Sequence, residues 1–232
     1  MEHIFERTER LIGTEALNKL KNSKVCVFGV GGVGSHCIEA LARGGIGKLV
    51  IVDSDSVVKS NINRQLVALH STLGKKKVEV MKERILDINP DATVEALAVF
   101  VTKEDSLDYI MDCDYVVDAI DNVTAKLHII ETCKKNDIRI ISCMGMGNKI
   151  RTDALFIDFI EKTGVCPLAK TVRKELRSRN IQKVKVLYSK EEPKTDPNPS
   201  PGKRPPASIS FVPPVAGYML AGEVIRDLCG IQ

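Results

Sequence analysis

The sequence predicts an α/β fold, a doubly wound and mostly parallel sheet of the Rossmann type, with helices on both faces and antiparallel edge strands supplied by the C-terminal part. Three observations carry this expectation. From Lys24 onward, apolar runs bounded by turn residues alternate with segments of helical period, the pattern of β-α-β units. The first run opens into "VFGVGGVGSH", a glycine-rich stretch at a strand-to-helix junction. The next run ends on Asp53, 19 residues after Gly34, the interval at which such folds place an acidic side chain.

The elements follow in order. Strands are expected near 24–29, 48–53, 93–99, 115–120 and 138–143, each a short apolar run suited to burial on both faces of a parallel sheet. Helices are expected near 34–43, 74–88, 103–111 and 122–136. After Gly145 the rhythm changes. "ALFIDFIEKT" reads as a strand, "LAKTVRKELRSRN" as a helix, "VKVLYS" as a strand and "YMLAGEVIRDL" as a closing helix. Residues 191–208 hold six of the ten prolines and almost no apolar side chains, so a mobile loop is expected there. With 232 residues and 44% hydrophobic content, the chain suits a single domain over 1–232.

Composition narrows the setting. A net charge of +4 is only mildly basic, so any nucleic-acid role must come from a local patch. The seven cysteines are odd in number and often lie inside apolar runs, which reads as reduced thiols of a cytoplasmic protein. None shows CxxC spacing, so a four-cysteine zinc site has no ligands. No apolar run approaches the roughly 18 residues of a membrane span, and no membrane partner is expected.

Gly29, Gly31 and Gly34 satisfy G-x-G-x-x-G, and with Gly32 they put four glycines into six positions. Without side chains, backbone N–H groups at a helix N-terminus can reach a phosphate. Asp53 at the end of the next strand would accept hydrogen bonds from a ribose diol, so the two features together indicate a ribonucleotide. NAD and ATP both remain open at this point. A triphosphate needs further cations, and "DSDSVVKSNINRQ" followed by "GKKKVEV" offers Arg64 and Lys77, with Asn61 and Gln65 as neutral donors. "VVDAIDNV" places Asp121 and Asn122 at the carboxyl edge of the sheet, where Asp121 beside a triphosphate suits Mg²⁺. Asp118 is the alternative carboxylate, better suited to supporting the turn.

"GVGGVGS", "DSDSVVKSNINRQ", "GKKKVEV…INP" and "DAIDN", in this order over roughly residues 8–145, resemble the adenylyltransferases related to ubiquitin-activating enzyme. "ARGGIGKLVIVDSD", "FVT" and "CPLAKTVRKELR" are most similar to the branch that acts on threonylcarbamoyladenosine in tRNA. The resemblance implies ATP as the nucleotide, with Mg²⁺, and adenylation of a carboxylate. It implies that Asp53 binds the ribose, that Asn61, Arg64, Gln65 and Lys77 hold the phosphates, and that Asp121 is the Mg²⁺-linked aspartate. Arg10 falls where the family has an arginine reaching into a partner's site, which implies a homodimer with residues 1–22 as the contacting segment. tRNA carrying threonylcarbamoyladenosine is the implied substrate, and a sulfur-transfer accessory protein is a further candidate partner. A ubiquitin-like or sulfur-carrier protein is the alternative substrate, weakened by the missing zinc cysteines.

Residues 170–190 hold eight Lys or Arg against one Glu, a cationic helix and strand suited to RNA phosphates. Cys166 precedes that helix, where the dipole could activate a thiol, although a packing role fits a cysteine before proline better. His36 and His70 lie near the nucleotide loops and receive no catalytic role.

Overall fold

A computed structural model of the chain describes residues 3–195, 197 and 206–231; residues 196 and 198–205 of the expected proline-rich loop lie outside the described residues. The chain begins with two helices, α1 (Glu6–Ile12) and α2 (Thr14–Asn22), broken at Gly13. It continues through β1 (Lys24–Phe28), α3 (Gly34–Gly44), β2 (Lys48–Val52), α4 (Lys77–Ile88), β3 (Thr93–Leu97), β4 (Tyr115–Asp118) and α5 (Val123–Lys135). It closes with β5 (Ile140–Cys143), β6 (Leu155–Phe159), α6 (Pro167–Ser178), β7 (Lys185–Ser189) and α7 (Val212–Cys229).

The strands form one seven-stranded sheet in the order β3-β2-β1-β4-β5-β7-β6. β1 to β5 are parallel, β7 runs parallel to β5, and the antiparallel pairing at the edge is between β7 and β6. The order reverses between β1 and β4, so the crevice at their carboxyl ends is the topological switch point where such sheets bind ligands.

Alternation along each strand feeds two cores. Val25, Val27, Leu49, Ile51 and Val117 face one way, against Leu20, Ile38, Leu41, Met81 and Leu220 of α2, α3, α4 and α7. Cys26, Phe28, Val50, Val116 and Val186 face the other way, against Ile129, Ile130, Val172 and Leu176 of α5 and α6. Each buried aliphatic side chain contributes about 1.5–3 kcal/mol. One ionic contact joins the helices of the first face: buried Glu39 on α3 accepts two bonds from Arg84 of α4, at 2.7 and 3.0 Å, and one from Arg43 at 2.7 Å. Burial alone would raise the Glu39 pKa, but the two guanidinium groups hold it below the ordinary carboxylate value.

One expectation needs correction. The helix expected near 103–111 is a loop with a single 3-10 turn at Asp108–Ile110. Asp105 Oδ2 accepts from both the backbone N–H and the hydroxyl of Thr102, at 2.6 and 2.9 Å, a local bond that competes with helix propagation. α2 buries Ala16, Leu17 and Leu20 on one face, whereas α1 buries nothing.

α3 and α7 approach closely at Gly217. A Cβ there would sit 2.3 Å from the carbonyl oxygen of Val33. Gly217→Ala would gain up to about 1 kcal/mol of helix propensity, but the clash is with backbone and opposes it with about 1–3 kcal/mol of overpacking. The substitution is therefore expected to lower the urea midpoint; an unchanged or raised midpoint would show that the two helices can part without cost.

Candidate nucleotide site

The turn after β1 is shaped by its glycines. Gly29 has φ +90°, and a Cβ on it would lie 2.8 Å from the carbonyl oxygen of Ala119. A Cβ on Gly34 would lie 1.8 Å from the carbonyl oxygen of Gly29. Neither position admits a side chain, so the chain passes tightly from β1 into α3 and presses against the end of β4. Ser35, fully buried, donates from its hydroxyl to the Gly31 carbonyl at 2.6 Å and accepts from the Leu66 N–H at 3.2 Å. This serine, which the sequence reading did not single out, joins the turn to the 61–66 segment.

A cleft of about 730 Å³ opens at the switch point. Gly29, Gly31, Gly32, Asp53, Asn61, Arg64, Gln65, Lys77, Asp121 and Asn122 all line it. Gly34 sits just behind, at the start of α3, and Arg10 is exposed on α1 and is not among the lining residues. His70 lies in an exposed 3-10 turn and does not line the cleft either.

Several of these side chains are already engaged. Asp53 Oδ2 accepts from the Val30 N–H at 2.7 Å, and Oδ1 accepts from the Asp55 N–H at 2.8 Å. Lys77, at the first residue of α4 and 4% exposed, places Nζ 2.7 Å from Asp55 Oδ2 and 3.8 Å from Asp53 Oδ1. Arg64 donates to the Ser60 carbonyl at 2.9 Å and to Asn63 Oδ1 at 2.7 Å. Asn61 Oδ1 accepts from the Val58 N–H at 3.2 Å. Gln65 Oε1 is buried with no partner among the described residues, an acceptor that a donating hydroxyl would satisfy.

Across the cleft, Asp121 is exposed, whereas Asn122 caps α5 by accepting from the Ala125 N–H at 3.0 Å. Asp118 is fully buried and accepts from the Ile120 N–H at 3.2 Å, which supports the turn. Among the described residues, no group of three His, Cys, Asp or Glu side chains forms a metal cage. One exposed carboxylate on the wall of this cleft fits Mg²⁺, a cation that keeps several waters and shares phosphate oxygens where a nucleotide is bound.

The cleft also has apolar walls that sequence reasoning missed: Val99, Phe100 and Val101 after β3, and Met144 and Met146 after β5. Cys143 lines it too, but burial pushes its thiol up to about 12, so it is not a thiolate. Cys166 is buried in the second core at the N-terminal end of α6, and it does not line the cleft. No helix among the described residues is long and apolar enough to cross a membrane.

Known proteins share this fold. A model of the ThiF family matches residues 5–232. The chain is 46% identical to the tRNA threonylcarbamoyladenosine dehydratase of Bacillus subtilis (strain 168), over 98% of this chain and 95% of that protein. It superposes with a TM-score of 0.89 on two crystal structures of E. coli tRNA N6-threonylcarbamoyladenosine dehydratase, one in complex with AMP and one with ATP. Identity to these is 33%, covering 97% of this chain and 93% of each of those chains.

One histidine beside the site sets a pH dependence. His36 Nε2 lies 3.3 Å from the Arg64 carbonyl oxygen, Nδ1 is buried without a partner among the described residues, and burial holds the ring's pKa below its ordinary value of 6.5. The unfolded chain therefore takes up the proton at a higher pH than the folded one. The contribution of this neutral ring to stability is complete above 6.5 and declines as pH falls through that value toward the folded pKa. Urea midpoints for the wild type and His36→Gln between pH 7.5 and 5 test this: the variant is expected to show the shallower decline, and parallel curves would refute it.

Proposed function

The chain belongs to the ThiF family, and from that membership we propose that it is an ATP-dependent dehydratase acting on threonylcarbamoyladenosine in tRNA. The observation that carries this reading is the convergence on one cleft of the glycine turn, Asp53, the 61–65 segment, Lys77 and Asp121, drawn from the connections after β1, β2 and β4. A dinucleotide would leave most of that polar set without a task. A triphosphate would use it.

In this reading Asp53 keeps lone pairs for the ribose, and Asn61, Arg64, Gln65 and Lys77 take the phosphates. The substrate's threonyl carboxylate attacks the α-phosphorus in line and pyrophosphate leaves. A ureido nitrogen of the same nucleoside then attacks the acyl-adenylate carbonyl, loses its proton and expels AMP. The result is a five-membered ring and the net loss of one water from the nucleoside. Both reacting groups belong to one molecule, so orientation supplies much of the second step. The cations stabilise charge on the transferring group and on pyrophosphate. Asp121 is the residue that would hold Mg²⁺, whose chemistry here is charge neutralisation on the phosphates.

The whole chain works in this reading as one ATP-binding unit. Residues 1–22 contact a second copy, and Arg10, which does not line its own cleft, serves the partner's. For the tRNA, the cationic surface is narrower than the sequence implied. Arg179 pairs with Glu131 and Glu175, Lys185 pairs with Glu223 and Asp227, and Arg173 is spent on the Thr163 carbonyl and hydroxyl. Lys170, Lys174 and Arg177 remain on one exposed stripe of α6, with no carboxylate partner among the described residues. Leu168, at the start of the same helix, lines the cleft, so the stripe leads away from the site of chemistry.

ATP–pyrophosphate exchange discriminates the readings when measured without substrate, with tRNA bearing threonylcarbamoyladenosine, and with a small protein ending in Gly-Gly. Stimulation by the modified tRNA alone is expected. Stimulation by the protein alone would make the chain a carrier-protein activator, and no exchange in any arm would make it a nucleotide-binding scaffold. Asp121→Asn should lower exchange by about 100-fold or more with the fold retained, whereas Cys166→Ser should leave it largely intact. Reversing Lys170, Lys174 and Arg177 to Glu should weaken tRNA binding and flatten its log-log salt dependence by roughly one unit per lost phosphate contact. An unchanged salt slope would remove α6 from the RNA surface.

A further inference from the structure

Beneath the cleft lies an ion pair with no direct access to substrate. Lys126, Asp118 and Ser142 are all fully buried. Lys126 Nζ donates to Asp118 Oδ2 at 2.6 Å, to the Cys143 carbonyl at 3.0 Å and to Ser142 Oγ at 3.2 Å, which uses all three of its protons. Ser142 Oγ in turn donates to Asp118 Oδ2 at 2.5 Å. Asp118 and Ser142 are register partners at the ends of β4 and β5, and Lys126 comes from the first turns of the α5 crossover between them.

Stability alone gives little reason for this arrangement. Lys126 shares the inward stripe of α5 with Ile129, Ile130 and Cys133, where an aliphatic side chain would pack, and well-packed apolar groups commonly replace a buried ion pair without loss. Hydrogen bonds differ from apolar contacts in having direction. Each bond here fixes a point from which the cleft wall begins. Asp118 holds the Ile120 N–H, one residue before Asp121, while Lys126 holds the carbonyl of Cys143, where the Cys143–Gly147 wall starts. The same turn is pressed on its other side by Gly29, so the bonds leave it little room to shift.

We propose that Lys126 is a positioning residue for the adenylation site, acting through Asp118 and Ser142 to fix Asp121 and the facing wall. The inference rests on the adenylation reading above. Replacing Lys126 alone would strand the buried Asp118 carboxylate, so the test uses the double variant Lys126→Met/Asp118→Asn in the full chain, which removes both charges together. Nucleotide capture lies mainly with the glycine turn, Asp53 and Lys77, and misplacement by about 1 Å costs up to about 100-fold in rate. The expected result is a fall of about tenfold or more in kcat for ATP–pyrophosphate exchange, with KM for ATP within about twofold of the wild type. Amide hydrogen exchange should quicken over 119–125 and 143–147 in the nucleotide-free protein and stay unchanged over 24–28.

A folded double variant with wild-type kcat would overturn the proposal, as would kcat and KM shifting together or exchange quickening everywhere. If the double variant does not fold, Ser142→Ala, which removes the bond from Lys126 and the bond to Asp118 while leaving the ion pair, is read by the same measures and the same outcomes. A wild-type chain that shows no pyrophosphate exchange would defeat the adenylation reading itself. The amide measurement needs no reaction, and unchanged protection at 119–125 would then defeat the positioning role separately.

Discussion

The cleft is organised around the carboxylate of Asp53. Val30 is fully buried, and its N–H would be an orphan donor in the glycine turn if Asp53 did not accept from it. The other carboxylate oxygen takes the Asp55 N–H and faces Lys77 Nζ. One charged acceptor at the end of β2 thus sets the spacing of the glycine turn, the 53–55 turn and the start of α4. Bonds of this kind, from backbone N–H to carboxylate, are about twice as strong as neutral ones.

Around that centre the cations are held in place before any ligand arrives. Lys77 is nearly buried and paired with Asp55, whose side chain is 65% exposed, so a phosphate approaching Lys77 competes with a carboxylate that can move into solvent. Arg64 is tied to Ser60 and Asn63, and the His36 ring sits against the Arg64 carbonyl. Charges fixed this way need little reorganisation as new charge develops on a reacting group, which is where preorganised sites derive most of their effect.

Burial of polar groups is concentrated at the same edge of the sheet. Ser35, Asp118, Lys126 and Ser142 are fully buried there, while the interior on both sides of the sheet is filled by aliphatic and aromatic side chains. Opposite the cleft, the exposed ends of helices carry ordinary solvated pairs such as Lys19 with Glu15, each contributing little. The cysteines follow the apolar pattern: all seven are free and six are buried. No covalent step through a thiol is needed for a reaction in which electrophile and nucleophile sit on one nucleoside.

The sequence by itself determined the features that depend on near neighbours in the chain. Strand and helix alternation, the glycine turn and the interval to Asp53 were legible because periodicity and backbone crowding act within a few tens of residues. Arg64 and Lys77 were legible as cations in the segment that follows Asp53, and Asp121 as a carboxylate placed just after a strand end. The lysine at 126, on a stripe shared with Ile129, Ile130 and Cys133, was a readable signal that went unread, since only its company marks it as buried. Tertiary structure decided the rest. Whether Arg179 and Lys185 stay free for RNA depends on Glu131, Glu223 and Asp227, which lie 38 to 48 residues away along the chain. The turn closed by Thr102 and Asp105 ended a helix that composition favoured. Such outcomes turn on which charges and donors meet after folding, and Coulombic and hydrogen-bond partners are chosen by distance in space, which spacing in sequence does not encode.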